Sequence, residues 1–248
     1  MDSARRLPPV LWAMAALLVV IGVGAAVGRL VFADDFITRA EPVRQWLMDA
    51  LRREDPFALE RPAELARVDG KFAAHPLLTL LHVLPGGIFL LFAPLQFSTR
   101  IRTRHLRFHR WSGRLLLPTV LAGLLPGLYF GILTPYGGPV EAVAVAVFGG
   151  LFLFAVYRGV RAIRRGQVAR HREWMIRVFA LAVAISTVRL VGAVLDVALT
   201  PLGVRPPAVF ALSVWTGWIL TLGIAELWIR HTRRSEAHQA GKLIPIPA

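Results

Sequence analysis

Six stretches of roughly 20 residues with almost no charge run through this chain of 248, and each is about the length a helix needs to cross a bilayer. A helix rises about 1.5 Å per residue, so such a stretch spans some 30 Å of hydrocarbon. Inside that medium only helices and closed barrels satisfy their own backbone groups, and these runs lack the alternation of barrel strands. The expected fold is therefore all-α, a polytopic transmembrane helix bundle of about six spans. The spans run from about Pro9 to Phe32, Pro76 to Phe97, Leu115 to Leu133, Val140 to Tyr157, Trp174 to Leu199 and Pro207 to Ile229. The first lies behind Arg5 and Arg6 and is longer than a signal-peptide core, so it is expected to remain as an uncleaved anchor.

Composition agrees, with 56% hydrophobic and 18% charged residues. The formal charge of +14 would point to nucleic acid in a soluble protein. Here the arginines stand in short blocks beside apolar segments, so topology explains them and no nucleic-acid partner is expected. The chain has no cysteine, which excludes disulfides, thiolate catalysis and cysteine-ligated metal sites.

Basic residues collect in loops that stay in the cytoplasm. Arg100, Arg102, Arg104, Arg107, Arg110 and Arg114 lie between spans two and three, and Arg158, Arg161, Arg164, Arg165, Arg170 and Arg172 between four and five. The connection between spans three and four carries none, that between five and six only Arg205, and the long one from Ala33 to His75 is nearly balanced in acids and bases, so both termini are expected inside a bacterial cytoplasmic membrane. Four regions follow: an anchor helix over 1–33, an outer loop over 34–75, a five-helix core over 76–230 and a cytoplasmic tail over 231–248 without assigned fold. In the outer loop Val43, Trp46, Leu47, Ala50 and Leu51 recur at helical spacing. They predict a short amphipathic helix lying on the membrane surface or capping the bundle. Glu60 to Lys71 reads as loop or a second short helix.

Two segments, RFHRWSGRLLL and ARHREWMIRVF, each place His-Arg and then another arginine before an apolar run. Aligning His109 with His171 also aligns Phe92 and Ala93 with Phe154 and Ala155, and Arg110 with Arg172, while Arg114 and Arg177 match after a one-residue shift. This is the pattern of a parallel repeat about an axis along the membrane normal. His109 and His171 at one depth could ligate a metal or haem iron, or flank an anionic head group held by Arg110, Arg114, Arg172 and Arg177. The plainer reading is contact with lipid phosphates.

Ionisable side chains cost roughly 2.5 to 3.5 kcal/mol or more at mid-bilayer, so each needs a reason. His82 in span two and Arg189 in span five stand at comparable depth, with Asp196 two turns further out and Glu141 near the outer end of span four. An outward-opening polar pocket of these four is one expectation, and a salt-bridge network that orients helices is the other. Gly123, Gly127 and Gly131 make a smooth stripe for close helix packing. Trp215, Trp218, Trp228 and Glu226 read as interface anchors.

The succession LHVLPGGIFLLFAPLQF, HRWSGR and HREWMIR, with Arg189 beyond it, resembles the bacterial predicted membrane proteins grouped as domain of unknown function 2306. The resemblance covers about Pro76 to Arg189. It implies a small multi-helix integral membrane protein with His82, His109, Arg110, Gly113, Arg114, His171, Arg172, Trp174, Met175 and Arg177 at the characteristic positions, and it supplies no activity. From the residues, a small redox protein binding haem b or a quinone is expected first. If haem or another metal is bound, His82, His109 and His171 are its ligands. The alternatives are a carrier or lipid- and anion-binding protein, and an assembly factor with membrane-protein partners or a second copy of itself. The topology has a direct test: a cysteine placed at Arg104 should be labelled only from the cytoplasmic side, and labelling from outside would invert the scheme.

Overall fold

The computed structural model describes residues 8–242, and every regular element among them is helical. In chain order they are α1 (Pro9–Val31), α2 (Glu41–Ala50), α3 (Arg61–Ala73), α4 (Pro76–Phe92), α5 (Thr99–Arg104), α6 (Leu106–Leu128), α7 (Gly138–Arg164), α8 (Val168–Leu199) and α9 (Pro206–Lys242). Six helical segments are long and apolar enough to cross a membrane: α1, α4 with its 3-10 extension to Phe97, α6 with a wider π-type coil over Tyr129–Leu133, α7, α8 and α9. Prolines stand in the first turn of α1, α4 and α7, where the missing N–H is not needed. Glycines at positive φ turn the chain sharply after α7 (Gly166, 69°) and after α8 (Gly203, 84°).

The helices outrun their apolar windows. α6 begins at Leu106, α7 continues to Arg164 and α8 begins at Val168, because arginine is a good helix former and its charged end reaches water beyond the hydrocarbon. α9 stays helical to Lys242, past Arg230, where the sequence leaves the chain as a tail. Arg5, Arg6 and residues 243–248 lie outside the described residues.

α7, α8 and α9 pack side by side, α4 pairs with α6, and α1 bridges the two groups by lying on both α4 and α8. Lipid tails are as apolar as leucine, so close packing rather than water exclusion must hold such a bundle. The glycine stripe of α6 serves this purpose. A Cβ on Gly123 would lie 3.3 Å from the His82 carbonyl oxygen, one on Gly127 2.7 Å from the His82 ring, and one on Gly131 2.7 Å from Val145. Gly217 of α9 likewise admits the backbone of Val188 in α8. Trp218 stacks on Phe148 with centroids 5.0 Å apart and donates its indole N–H to the Leu181 carbonyl, while Trp215 donates to the Val140 carbonyl. These tryptophans therefore join helices, and Trp228 is buried as well, which corrects their reading as interface anchors.

The segment between α1 and α4 forms a cap over one end of the bundle, opposite the arginine-rich turns. Asp69 is fully buried; it accepts from the Ile37 and Thr38 N–H groups and the Thr38 hydroxyl and pairs with Arg29 of α1 at 2.8 Å. Arg44 and Arg61 converge on Asp55 at 2.6 and 2.8 Å, and both reach Asp196 of α8 at 3.3 and 3.4 Å, with Glu41 2.7 Å from Arg44. Lys71 donates to the Thr134 carbonyl and the Tyr136 hydroxyl to Glu64. Burial pushes the Tyr136 phenol up, and the charge and hydrogen bond of Glu64 push it further. α2 turns its charged side, with Met48, toward the bundle and leaves Val43 and Trp46 outward at 69% and 68% exposure. The apolar stripe read from the spacing is thus the outward face, since the ion pairs claim the inward one.

Two outcomes follow from this packing. Gly127→Leu should lower the melting temperature, because overpacking a close contact costs about 1 to 3 kcal/mol; an unchanged melting temperature would refute the close α4–α6 contact. Burial opposes the charge of Asp55, but hydrogen bonds from Arg61 and the Phe57 N–H, with the charges of Arg61 and Arg44, hold its carboxyl below the usual carboxylate range. Its stabilising effect is therefore complete above the unfolded value of about 3.9 and is lost as pH falls through the lower folded value. Asp55→Asn should cost about 3 to 5 kcal/mol near neutral pH. That deficit should shrink below about pH 4, and equal melting curves for the two proteins at pH 6 would contradict it.

Candidate functional site

Pro94 ends the regular part of α4, and the chain continues as a 3-10 turn over Ala93–Phe97. Ser98 then caps a new short helix by accepting from the Ile101 N–H, so that α5 carries Arg100, Arg102 and Arg104 across the bundle end. These three arginines and Arg172 of α8 border a cavity of about 1050 Å³ between α1 and the α8–α9 pair. Away from the arginines its walls are mostly apolar, with Trp12 and Leu17 from α1, Phe179 and Val183 from α8 and Trp228 from α9, interrupted by Thr187 and Thr221. The volume lies just above the roughly 300 to 1,000 Å³ usual for small-molecule sites. The indole nitrogen of Trp228 is buried without a hydrogen-bond partner and is closed to the cavity, and an unmade buried bond costs about 1 to 3 kcal/mol.

The doubled His-Arg motif lies at the same end. His171 places Nδ1 3.0 Å from the Gly159 carbonyl oxygen, while the Nδ1 of His109 is buried with no partner. His109 and His171 both lie at this arginine-rich end, on α6 and α8. The four expected head-group arginines do not act together. Arg177 is held by Glu226 through two hydrogen bonds of 2.5 and 2.9 Å and lies 4.6 Å over the Trp174 ring. Arg110 and Arg114 are exposed, the latter 5.6 Å over Trp111, and only Arg172 borders the cavity. The two units also differ between their helices: α7 and α8 are joined by three residues, whereas the 3-10 turn and α5 intervene before α6.

The four-residue polar pocket at the capped end does not assemble as expected. Asp196 is drawn into the Arg44 and Arg61 network and accepts from the Thr200 hydroxyl. Glu141 turns back to accept from the Gly137 N–H at 2.6 Å. His82 directs Nδ1 to the Gly123 carbonyl oxygen at 2.8 Å, its ring filling the space that Gly127 leaves. Arg189 donates to the Ile185 carbonyl of its own helix and has no carboxylate within ion-pair distance among the described residues.

Among the described residues no three His, Asp or Glu side chains come together as a metal site would need. The contact of His82 with α6 leaves no slot for a porphyrin between α4 and α6. What the sequence did not reveal is the wall supplied by α1 and the gathering of Arg100, Arg102 and Arg104 beside Arg172. Their only signal was charge, which topology already explained.

No curated protein and no solved structure matches the chain. The family model described as predicted membrane protein (DUF2306) matches residues 79–229, more than half of the chain and well beyond Arg189 into α9. With six helices able to cross a bilayer and this match over the α4–α9 bundle, the chain belongs to the DUF2306 family of membrane proteins.

Proposed function

We propose that this integral membrane protein binds an anionic amphiphile, a lipid-like molecule whose head group meets Arg100, Arg102, Arg104 and Arg172 and whose chain lies in the cleft between α1 and the α8–α9 pair. The arginine-bordered cavity of about 1050 Å³ is the observation that carries this reading. A chain moved from lipid into an apolar cleft gains little, because both surroundings are alike. Selectivity must then come from the charged end, where each arginine contributes about 1 kcal/mol toward an anionic group. The arginine distribution supports placing this end at the cytoplasmic face of a bacterial inner membrane, with both termini inside.

Haem b or quinone binding is the second reading. It is favoured by His82 and His171, which both present Nδ1 to a backbone carbonyl. That arrangement leaves Nε2 as the lone-pair atom, as in ligating imidazoles. The porphyrin would need a site other than the α4–α6 contact, and His109 or His171 at the arginine-rich end would be the residues to hold it.

One preparation separates the two. Detergent-purified protein should release an anionic lipid on organic extraction, seen by mass spectrometry, and show no Soret band after haem-supplemented expression. Arg102→Gln with Arg172→Gln should weaken retention roughly 30-fold, since two arginines contribute about 2 kcal/mol and about 1.4 kcal/mol is tenfold. Unchanged retention, or neutral and anionic lipids in the proportions of the membrane, would sink the amphiphile reading.

A further inference from the structure

The cleft between α1 and the α8–α9 pair changes character along its length. On α8 its wall runs from Arg172 through Phe179 and Val183 to Thr187, and on α9 from Trp228 to Thr221, two turns away. From Arg172 to Thr187 the helix rises about 22 Å at 1.5 Å per residue. At that level the cleft narrows. α1 borders it as far as Leu18 and one turn later closes on α8 and α4, where a Cβ on Gly22 would lie 2.7 Å from the Ser186 Oγ and 2.6 Å from the Leu90 side chain. The two threonines therefore stand toward the closed end, opposite the arginines and well inside the hydrocarbon.

Their hydroxyls form a pair with one unmet position. Thr221 Oγ1 lies 2.8 Å from both the Gly217 carbonyl oxygen and Thr187 Oγ1, and it has one proton to give. If that proton goes to Gly217, Thr187 donates to Thr221 and keeps two free lone pairs. If it goes to Thr187, the proton of Thr187 has no taker, because Thr221 is the one partner of that hydroxyl among the described residues. Thr221 is buried and Thr187 only half-buried on the cleft wall, so the open position belongs to Thr187. Lipid tails offer it neither donor nor acceptor. A carbonyl or ether oxygen only accepts and suits one arrangement of the pair, whereas a hydroxyl donates and accepts and suits both.

We propose that the cleft selects an acyl chain ending in a hydroxyl, which Thr187 and Thr221 receive while the arginines around Arg172 hold the anionic head group. This rests on the amphiphile reading of the cleft and adds the chemistry of the chain's far end. An extended chain advances about 1.25 Å per carbon, from bonds of about 1.5 Å at near-tetrahedral angles, so about 16 to 18 carbons cover the distance. ω-Hydroxypalmitate has this length and both polar ends.

Displacement of radiolabelled palmitate from the detergent-purified full chain tests the proposal. The competitors are ω-hydroxypalmitate, unlabelled palmitate and the isomer hydroxylated beside the carboxylate, at matched mole fraction in the micelle. ω-Hydroxypalmitate should compete about three- to tenfold more strongly than palmitate, the effect of one net hydrogen bond, and the isomer should show no such gain. Thr187→Val with Thr221→Val removes both hydroxyls at nearly constant volume and should reverse the order, because the ligand hydroxyl would then be buried without a partner. If that double variant is not monodisperse on gel filtration, Thr187→Val alone should narrow the preference. Equal competition by palmitate and ω-hydroxypalmitate, an equal gain for the isomer, or a preference that survives in the monodisperse variant would overturn the hydroxyl subsite and leave the cleft as a general amphiphile site. A label that the unaltered chain does not retain would overturn both readings.

Discussion

A guanidinium withdrawn from bulk water needs a carboxylate, a set of hydrogen-bond acceptors or trapped water, because the hydrocarbon around it offers nothing. Much of this protein's architecture follows from how each arginine meets that demand. Arg29 has Asp69 and the rings of Phe36 and Phe72, at 4.9 and 4.5 Å. Arg44 and Arg61 share Asp55 and Asp196, and Arg177 has Glu226. These pairs tie α1, α8 and α9 to elements distant in sequence. The arginines near α5 gather instead around a cavity, and Arg189 keeps only a carbonyl of its own helix.

The division between satisfied and open polar groups runs along the bundle. At the capped end, carboxylates and arginines are nearly matched, and the cap closes by ion pairs more than by apolar contact. At the other end arginine is in excess, and buried donors or acceptors at His109 and Trp228 stay open. Buried pairs are weak evidence for stability, since their desolvation cost can rival their attraction. Their clearer effect here is to fix which side of α2 faces the protein.

The spans were legible in the sequence because the bilayer imposes a length, and Gly123, Gly127 and Gly131 announced close packing because only glycine lets backbones approach so far. The ends of α6, α7 and α8 were not, since a hydropathy window stops at the first arginines while the helix does not. The site was harder to read. Asp196 sits two turns from Arg189 along its own helix, which invites a pair, yet its partners lie 152 and 135 residues away in the cap. Trp46 and Val43 recur at helical spacing, but periodicity identifies a face and not its neighbour. Glu226 and Arg177, 49 residues apart, likewise have no common local pattern. Long-range pairing decided each of these, and a single sequence does not display it.

α8 is one uninterrupted helix of 32 residues. Arg172 near its start borders the amphipathic cleft, Arg189 stands partway along it, and Asp196 near its end is gripped by the cap. From Arg172 to Asp196 the rise is about 36 Å at 1.5 Å per residue. A rod of that kind behaves as a lever: a tilt or axial slip that freed Asp196 from Arg44 and Arg61 would displace Arg189 and Arg172 in the same stroke, so opposite ends of the molecule share one moving part.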